Sequence, residues 1–303
     1  MSRTFALAFL LAVASGVSFG AAAPADPAKP GKLPVGVTTI QSIDTVRERI
    51  LTVELWYPAK TAGRDAVPRK QPYPLIMVAH GFCGSRLNYE YLTTHLASHG
   101  FVVAAPDFAG LTQADCDAGT ATTPFDALPY DLSFVCRDLH NTGGRLAAWA
   151  KHVRGSPTGL VGHSLGGGAV IGAARIDEFF TNVVALAPSA TAASADGLDE
   201  LTPRAWMVMG GTADTLVSFT NWTQPFWEGA PTPKFLVKIE GGTHGGFSDE
   251  DSSLSPQALA AQQDAVKRAA TALLNRYLAL KPKFAKRLRT ADDGYVALTA
   301  KLK

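Results

Sequence analysis

Residues 158–168 read Thr158-Gly159-Leu160-Val161-Gly162-His163-Ser164-Leu165-Gly166-Gly167-Gly168, an apolar run that passes through one serine into a Gly/Ala-rich, helix-compatible segment. So abrupt a strand-to-helix turn strains the backbone of the residue at its apex, and it requires small residues two positions before and after. Gly162 and Gly166 meet that requirement, and Gly167 and Gly168 extend it. The following helix aims its first amide N–H groups at the apex, where they favour a developing oxyanion. GxSxG alone is a common pattern, and an ordinary Gly-rich turn is the plain alternative. The flanking chain tests it.

Working outward, continuous apolar runs of the kind needed by strands buried on both faces recur at 75–79, 101–105, 183–186, 205–209 and 235–239. Helix-compatible stretches lie between them at 87–98, 132–153 and 165–175. A fourth, 256–278, carries Val266, Ala270, Leu273, Leu274, Tyr277 and Leu278 at helical spacing. Residues 35–43 and 50–58 are rich in β-branched and aromatic side chains and suit an opening antiparallel pair. Such alternation over roughly 200 residues predicts an α/β fold with a mostly parallel central sheet flanked by helices, as one domain over 35–303. No insertion beyond about 25 residues interrupts it, so no large lid is expected.

The 303 residues are 47% hydrophobic and 18% charged, which excludes a disordered or fibrous chain. A formal net charge of +2 gives no pull toward nucleic acid or anionic lipid. Arg3, ten apolar residues at 5–14 and the small residues Ser18, Gly20, Ala21 and Ala23 have the layout of a secretory signal peptide over residues 1–23. A buried N-terminal helix or uncleaved anchor is the alternative. Residues 24–34 read as a poorly ordered Pro-rich linker. No later run approaches 18 apolar residues, so no stable membrane insertion is expected, and the mature chain is expected to be a secreted or periplasmic monomer.

A serine hydroxyl needs a base, and the base needs an orienting acid, in the order Ser, Asp/Glu, His on this architecture. Asp214 follows the run 205–209, 50 residues after Ser164, and His244 follows the run 235–239, 30 residues later. Both fall at carboxyl ends of expected strands, where open α/β sheets place their ligands. His244 is the base by elimination, because the other six histidines precede Ser164. Asp196, Asp199 and Glu200 compete with Asp214, but none follows a strand so directly. In His80-Gly81-Phe82-Cys83-Gly84, Phe82 N–H is expected to join Leu165 N–H as an oxyanion donor, with the Phe82 ring beside the acyl group. His80 and His163 are read as structural, bonding to backbone. A metal site from His80, His163 and His244 lacks both the HExxH spacing and an acidic ligand, so no metal is expected.

Cys83 and Cys116 follow successive strands, and a bridge between them would brace the oxyanion loop against residues 109–129. A Cys116–Cys136 bridge is the rival, with Cys136 otherwise a buried thiol. Trp222, Phe226 and Trp227 either line a substrate groove or pack beneath a loop. Residues 281–303 read as a solvated tail helix and loop.

Taken together, HGFCG at 80–84, GHSLGG at 162–167, GTAD at 211–214 and GGTHGGFSD at 241–249 resemble a serine esterase of the α/β-hydrolase superfamily, over nearly all of residues 35–280. LWYPA at 55–59, residues 80–107 and THGGFSD at 243–249 resemble bacterial relatives of platelet-activating-factor acetylhydrolase. They are also similar to chlorophyllase-like and polyester-hydrolase (cutinase-like) enzymes. Dienelactone hydrolases share the scaffold but use a cysteine nucleophile, and Ser164 departs from that pattern. The resemblance implies an α/β-hydrolase fold and a cofactor-free carboxylic-ester hydrolase with Ser164 as nucleophile, His244 as base and Asp214 as its orienter. Its substrate would be a small-molecule or polymeric ester, taken by a short-chain or open-cleft esterase; the alternatives are a lipase or polyester hydrolase and a phospholipid acetylhydrolase. A non-catalytic binding protein on the same scaffold is the alternative of another class.

Overall fold

Apolar runs without polar interruption are satisfied only where both faces of a strand are covered, and that condition sets the architecture. The computed structural model describes residues 26–122, 124–190, 193–201 and 205–303, so the expected signal peptide lies outside the described residues. The chain opens with β1 (Val35–Asp44), β2 (Arg49–Pro58), β3 (Gly63–Arg64), β4 (Leu75–Ala79), α1 (Glu90–Ser98) and β5 (Val102–Pro106). It continues with α2 (Gln113–Asp117), α3 (Ala127–His140), α4 (Ala147–Ala150), β6 (Thr158–His163), α5 (Leu165–Ile176) and β7 (Phe180–Leu186). Then come β8 (Ala205–Gly211), α6 (Gln224–Gly229), β9 (Lys234–Ile239), α7 (Pro256–Leu273), β10 (Ala291–Asp292) and β11 (Val296–Lys301).

These strands form one sheet in the order β10-β11-β9-β8-β7-β6-β4-β5-β2-β1-β3. From β5 to β9 all pairings are parallel. β1 and β2 pair antiparallel in the register Val35 to Pro58, as their alternation suggests, and β2 pairs antiparallel with β5. Successive side chains of a strand point to opposite faces. Leu75, Met77 and Ala79 of β4 therefore join a core with Leu132 and Val135 of α3 and Ala169 and Val170 of α5. Ile76 and Val78 join a second core with Leu92 and Leu96 of α1 and Val266 and Leu273 of α7. Helices thus cover both faces, which is the α/β-hydrolase arrangement, and among the described residues no helical lid is inserted between the elements. Nor is any described helix long and apolar enough to cross a membrane.

Three expectations need correction. The helix expected over 132–153 starts earlier and breaks in two. Asn141 takes the Gly143 amide on its side chain at 3.0 Å, and the Gly143-Gly144 pair disfavours helix, so α3 stops at His140. Residues 26–34, expected to be poorly ordered, are fastened to α1 instead. His95 Nε2 lies 2.8 Å from the Pro27 carbonyl, and Ser98 accepts Gly31 N–H on its hydroxyl at 2.7 Å and Leu33 N–H on its carbonyl at 3.2 Å. The third is the tail: Phe284 and Leu288 are buried, and β11 pairs antiparallel with β9 along its whole length. Its alternating Val296, Leu298 and Ala300 face the second core, a period-2 signal hidden by the surrounding Lys and Arg.

Candidate active site

The parallel strands deliver their carboxyl ends to one edge of the sheet, and the chemistry gathers there. Ser164 stands between β6 and α5 with φ 56° and ψ −121°, a left-handed conformation that costs a non-glycine residue energy and persists only where packing enforces it. The enforcement is steric. A Cβ on Gly162 would lie 2.2 Å from the Gly166 carbonyl oxygen, and one on Gly166 would lie 2.3 Å from the Ala79 oxygen. Ser164 N–H donates to Leu186 of β7, and its carbonyl accepts Ser189 N–H, both at 2.9 Å.

Asp214 and His244 come from the loops after β8 and β9, and the structure brings them together. His244 Nδ1 lies 2.8 Å from Asp214 Oδ2. The other carboxylate oxygen accepts the amides of Leu216 at 2.9 Å and Val217 at 2.7 Å, so the acid is fixed by its own turn. Its side chain is fully buried, whereas that of His244 keeps 15% of its surface open to solvent. The competitors Asp196, Asp199 and Glu200 are exposed, and Asp196 instead accepts Ser194 hydroxyl and lies beside Arg175. The loop that carries His244 is steadied from α7: Gln262 accepts Thr243 N–H at 3.0 Å and donates to the Thr243 carbonyl at 2.9 Å.

Ser164 and His244 share a cleft of about 180 Å³ with Gly81, Phe82, Tyr89 and His163. Leu165 opens α5, so its amide has no acceptor one turn back. Among the described residues the Phe82 amide has no protein acceptor either. A Cβ on Gly81 would stand 3.2 Å from that of Ser164, which shows how closely the Phe82 loop approaches the serine. This loop is braced at several points. Cys83, itself at φ 53°, is disulfide-bonded to Cys116, and Gly84 accepts Gln113 N–H at 3.0 Å. Arg86 pairs with Asp107 and with Glu54. The expected Cys83–Cys116 bridge is therefore present, and Cys136 is a buried free thiol whose pKa burial pushes up to about 12.

His80 bonds to backbone on both ring nitrogens, donating from Nδ1 to Gly81 O at 2.8 Å and accepting Phe108 N–H on Nε2 at 3.0 Å. Burial holds its pKa below the usual histidine value. His163 differs from expectation: its Nδ1 meets the Tyr89 hydroxyl at 3.0 Å, not a backbone group, because the buried Tyr89 projects from the start of α1 into the same layer. The His163 ring lies 4.6 Å from that of His244, centroid to centroid.

Neither tryptophan singled out from the sequence reaches this cleft. Trp227 packs against the first core with the Lys234 ammonium 5.2 Å from its ring centre, because α6 turns it back onto the sheet. Trp222 borders a separate groove with Ala190, Ser194 and Phe226. Two residues that sequence reasoning passed over do join the site: Tyr89, and Asp249 at the end of the His244 loop. Their patterns are local only in part, since each acts on chain more than 70 residues away.

The chain is also similar to known proteins. A family model described as PETase, PET hydrolase-like, matches residues 48–276. Cutinase est2 of Thermobifida alba is 26% identical over 186 residues, covering 60% of this chain and 56% of that protein. Bis(hydroxyethyl) terephthalate hydrolase of Streptomyces coelicolor is 26% identical over 205 residues, covering 66% of this chain and 56% of that protein. The chain thus spans little more than half the length of these relatives.

Proposed function

This chain belongs to the PET hydrolase-like family, and on that premise we propose that it is a carboxylic-ester hydrolase of the polyester type that works by acyl transfer. The single observation that carries the reading is the arrangement of Ser164, strained at the apex of its turn, in one cleft with a His244 already bonded to a buried Asp214. His244 takes the Ser164 proton as the hydroxyl attacks the ester carbonyl, while Asp214 holds the Nδ1–H and stabilises the imidazolium that forms. The amides of Phe82 and Leu165 receive the tetrahedral oxyanion. His244 then protonates the leaving alcohol, and water repeats the sequence on the acyl-enzyme. No step calls for a metal or organic cofactor.

The relatives named cutinase and terephthalate-ester hydrolase favour a polyester or its small diester fragments over a long-chain lipid. A cleft with no helical lid among the described residues, and with the Phe82 side chain half-exposed at its rim, suits a chain segment lying across the surface. Trp222, which borders a separate groove, is the aromatic candidate for a contact with polymer beyond the cleft. We assign the protein to an oxidising, exported location, in keeping with the Cys83–Cys116 disulfide.

Ser164→Ala tests the reading. Turnover of p-nitrophenyl butyrate and of bis(hydroxyethyl) terephthalate should vanish with the melting temperature unchanged. A variant that keeps a tenth of wild-type turnover would overturn it.

A further inference from the structure

The Tyr89 hydroxyl touches both halves of the site. It accepts Gly81 N–H at 3.2 Å, on the loop that carries Phe82, and meets His163 Nδ1 at 3.0 Å, on the ring that lies tilted against His244. We propose that Tyr89 is a positioning residue for acyl transfer: its one hydroxyl fixes the tautomer of His163 and keeps the Phe82 loop in register with the base. The inference rests on the ester-hydrolase reading above and adds to it a residue outside the triad.

The tautomer follows from donor and acceptor accounting. Among the described residues Tyr89 has no other acceptor for its own proton, so with Gly81 N–H occupying one lone pair, the O–H is free to donate to His163 Nδ1. His163 then carries its proton on Nε2. The opposite tautomer would leave the buried tyrosine proton without an acceptor. His163 Nε2 has no hydrogen-bond partner among the described residues, so nothing there donates to a bare lone pair. Burial, with His244 alongside, holds the His163 pKa well below the usual value, so the ring stays neutral. A neutral ring 4.6 Å away does not oppose the imidazolium that His244 becomes during turnover; a cationic one would. Phenylalanine at 89 would fill nearly the same buried volume, so the hydroxyl itself is the part to test.

Tyr89→Phe in the full mature chain should lower kcat for p-nitrophenyl acetate about tenfold or more, with KM within about twofold, because a small misplacement of catalytic groups acts on the chemical step. Nitrogen-15 NMR of histidine-labelled protein should show a single neutral Nε2–H tautomer for His163 in the wild type, and a mixture or the Nδ1–H form in Tyr89→Phe. A wild-type Nδ1–H tautomer, or a variant that keeps both kcat and the tautomer, overturns the inference. If the wild type hydrolyses no ester, the ester-hydrolase reading fails, while the tautomer measurement still decides whether Tyr89 sets the state of His163.

Discussion

Asp249 follows Tyr91 by 158 residues, yet its carboxylate accepts the Tyr91 amide at 2.9 Å and, through its other oxygen, the Glu90 amide at 2.7 Å. The helix start that Tyr89 itself cannot cap is thereby closed by the loop that carries His244. Asp249 N–H in turn donates to the Asn88 carbonyl at 2.9 Å, and the Tyr91 hydroxyl donates to Phe247 O at 3.1 Å. Asp249→Ala should therefore cost about 1–2 kcal/mol, the usual loss for a helix cap. It should also lower kcat, because the base loop loses an anchor. Urea unfolding and steady-state kinetics on the same preparation would check both.

The disulfide begins one residue after Phe82 and closes a sequence separation of 33. Chain-entropy reasoning for a loop of that length puts the stabilisation at about 3–4 kcal/mol. The paired variant Cys83→Ala with Cys116→Ala should unfold at lower urea by that amount. Its kcat should fall more than its KM rises, because the Phe82 amide loses a brace. Unchanged kcat in a folded double variant would show that the remaining braces, Arg86 with its carboxylates and the Gln113 and Tyr89 contacts, hold the loop without the disulfide.

Asp214→Asn leaves the shape of the site but removes the acceptor that selects the Nδ1–H form of His244. A loss of roughly 10³- to 10⁴-fold in kcat is expected at neutral pH, by analogy with the same change in other triads. The Leu216 and Val217 amides still find the remaining side-chain oxygen, so the melting temperature should shift little. A comparable loss for Asp199→Asn, in place of Asp214→Asn, would relocate the acid.

Acid should loosen the attachment of residues 26–34. Burial, with His99 beside it, pushes the His95 pKa down to about 4; Lys267 adds to this and Asp264 opposes it. A histidine whose folded pKa lies below its unfolded value contributes stability that is complete above about pH 6.5. That contribution is lost as pH falls through about 4, because the unfolded chain then binds the extra proton. The contribution is at most about 3 kcal/mol. Urea midpoints between pH 7 and pH 4.5 should fall in the wild type and fall less in His95→Gln, whose amide can still reach the Pro27 carbonyl.

What the sequence discloses follows the range over which each residue acts. Gly162 is legible because the close approach it permits, to Gly166, lies within five residues; Gly166 is read from the same local pattern, although the chain it makes room for is Ala79 of β4. Asp214 and His244 are legible because strand ends are marked by apolar runs, and a parallel sheet must bring such ends together. Tyr89 reads as one more apolar position at the head of a helix, and nothing nearby announces a partner 74 residues later. Asp249 looks like loop polarity, since the helix it caps lies in a different part of the chain. β11 is obscured by the Lys and Arg around its alternating residues and also by range. Its pairing depends on an open edge of β9, which no local pattern displays.

The fastening of residues 26–34 to the far end of α1 has a practical side. α1 runs from the cleft toward the amino ends of the parallel strands, and the contacts are made at His95, Ser98 and His99, at that far end. Lys301 of β11 pairs with Lys234, the first residue of β9, and so lies at the same end. A tether attached ahead of residue 26 or beyond residue 301 therefore leaves the molecule from the side opposite Ser164. Anchored to a bead or fused to a carrier by either terminus, the protein would present its cleft outward, toward a solid substrate.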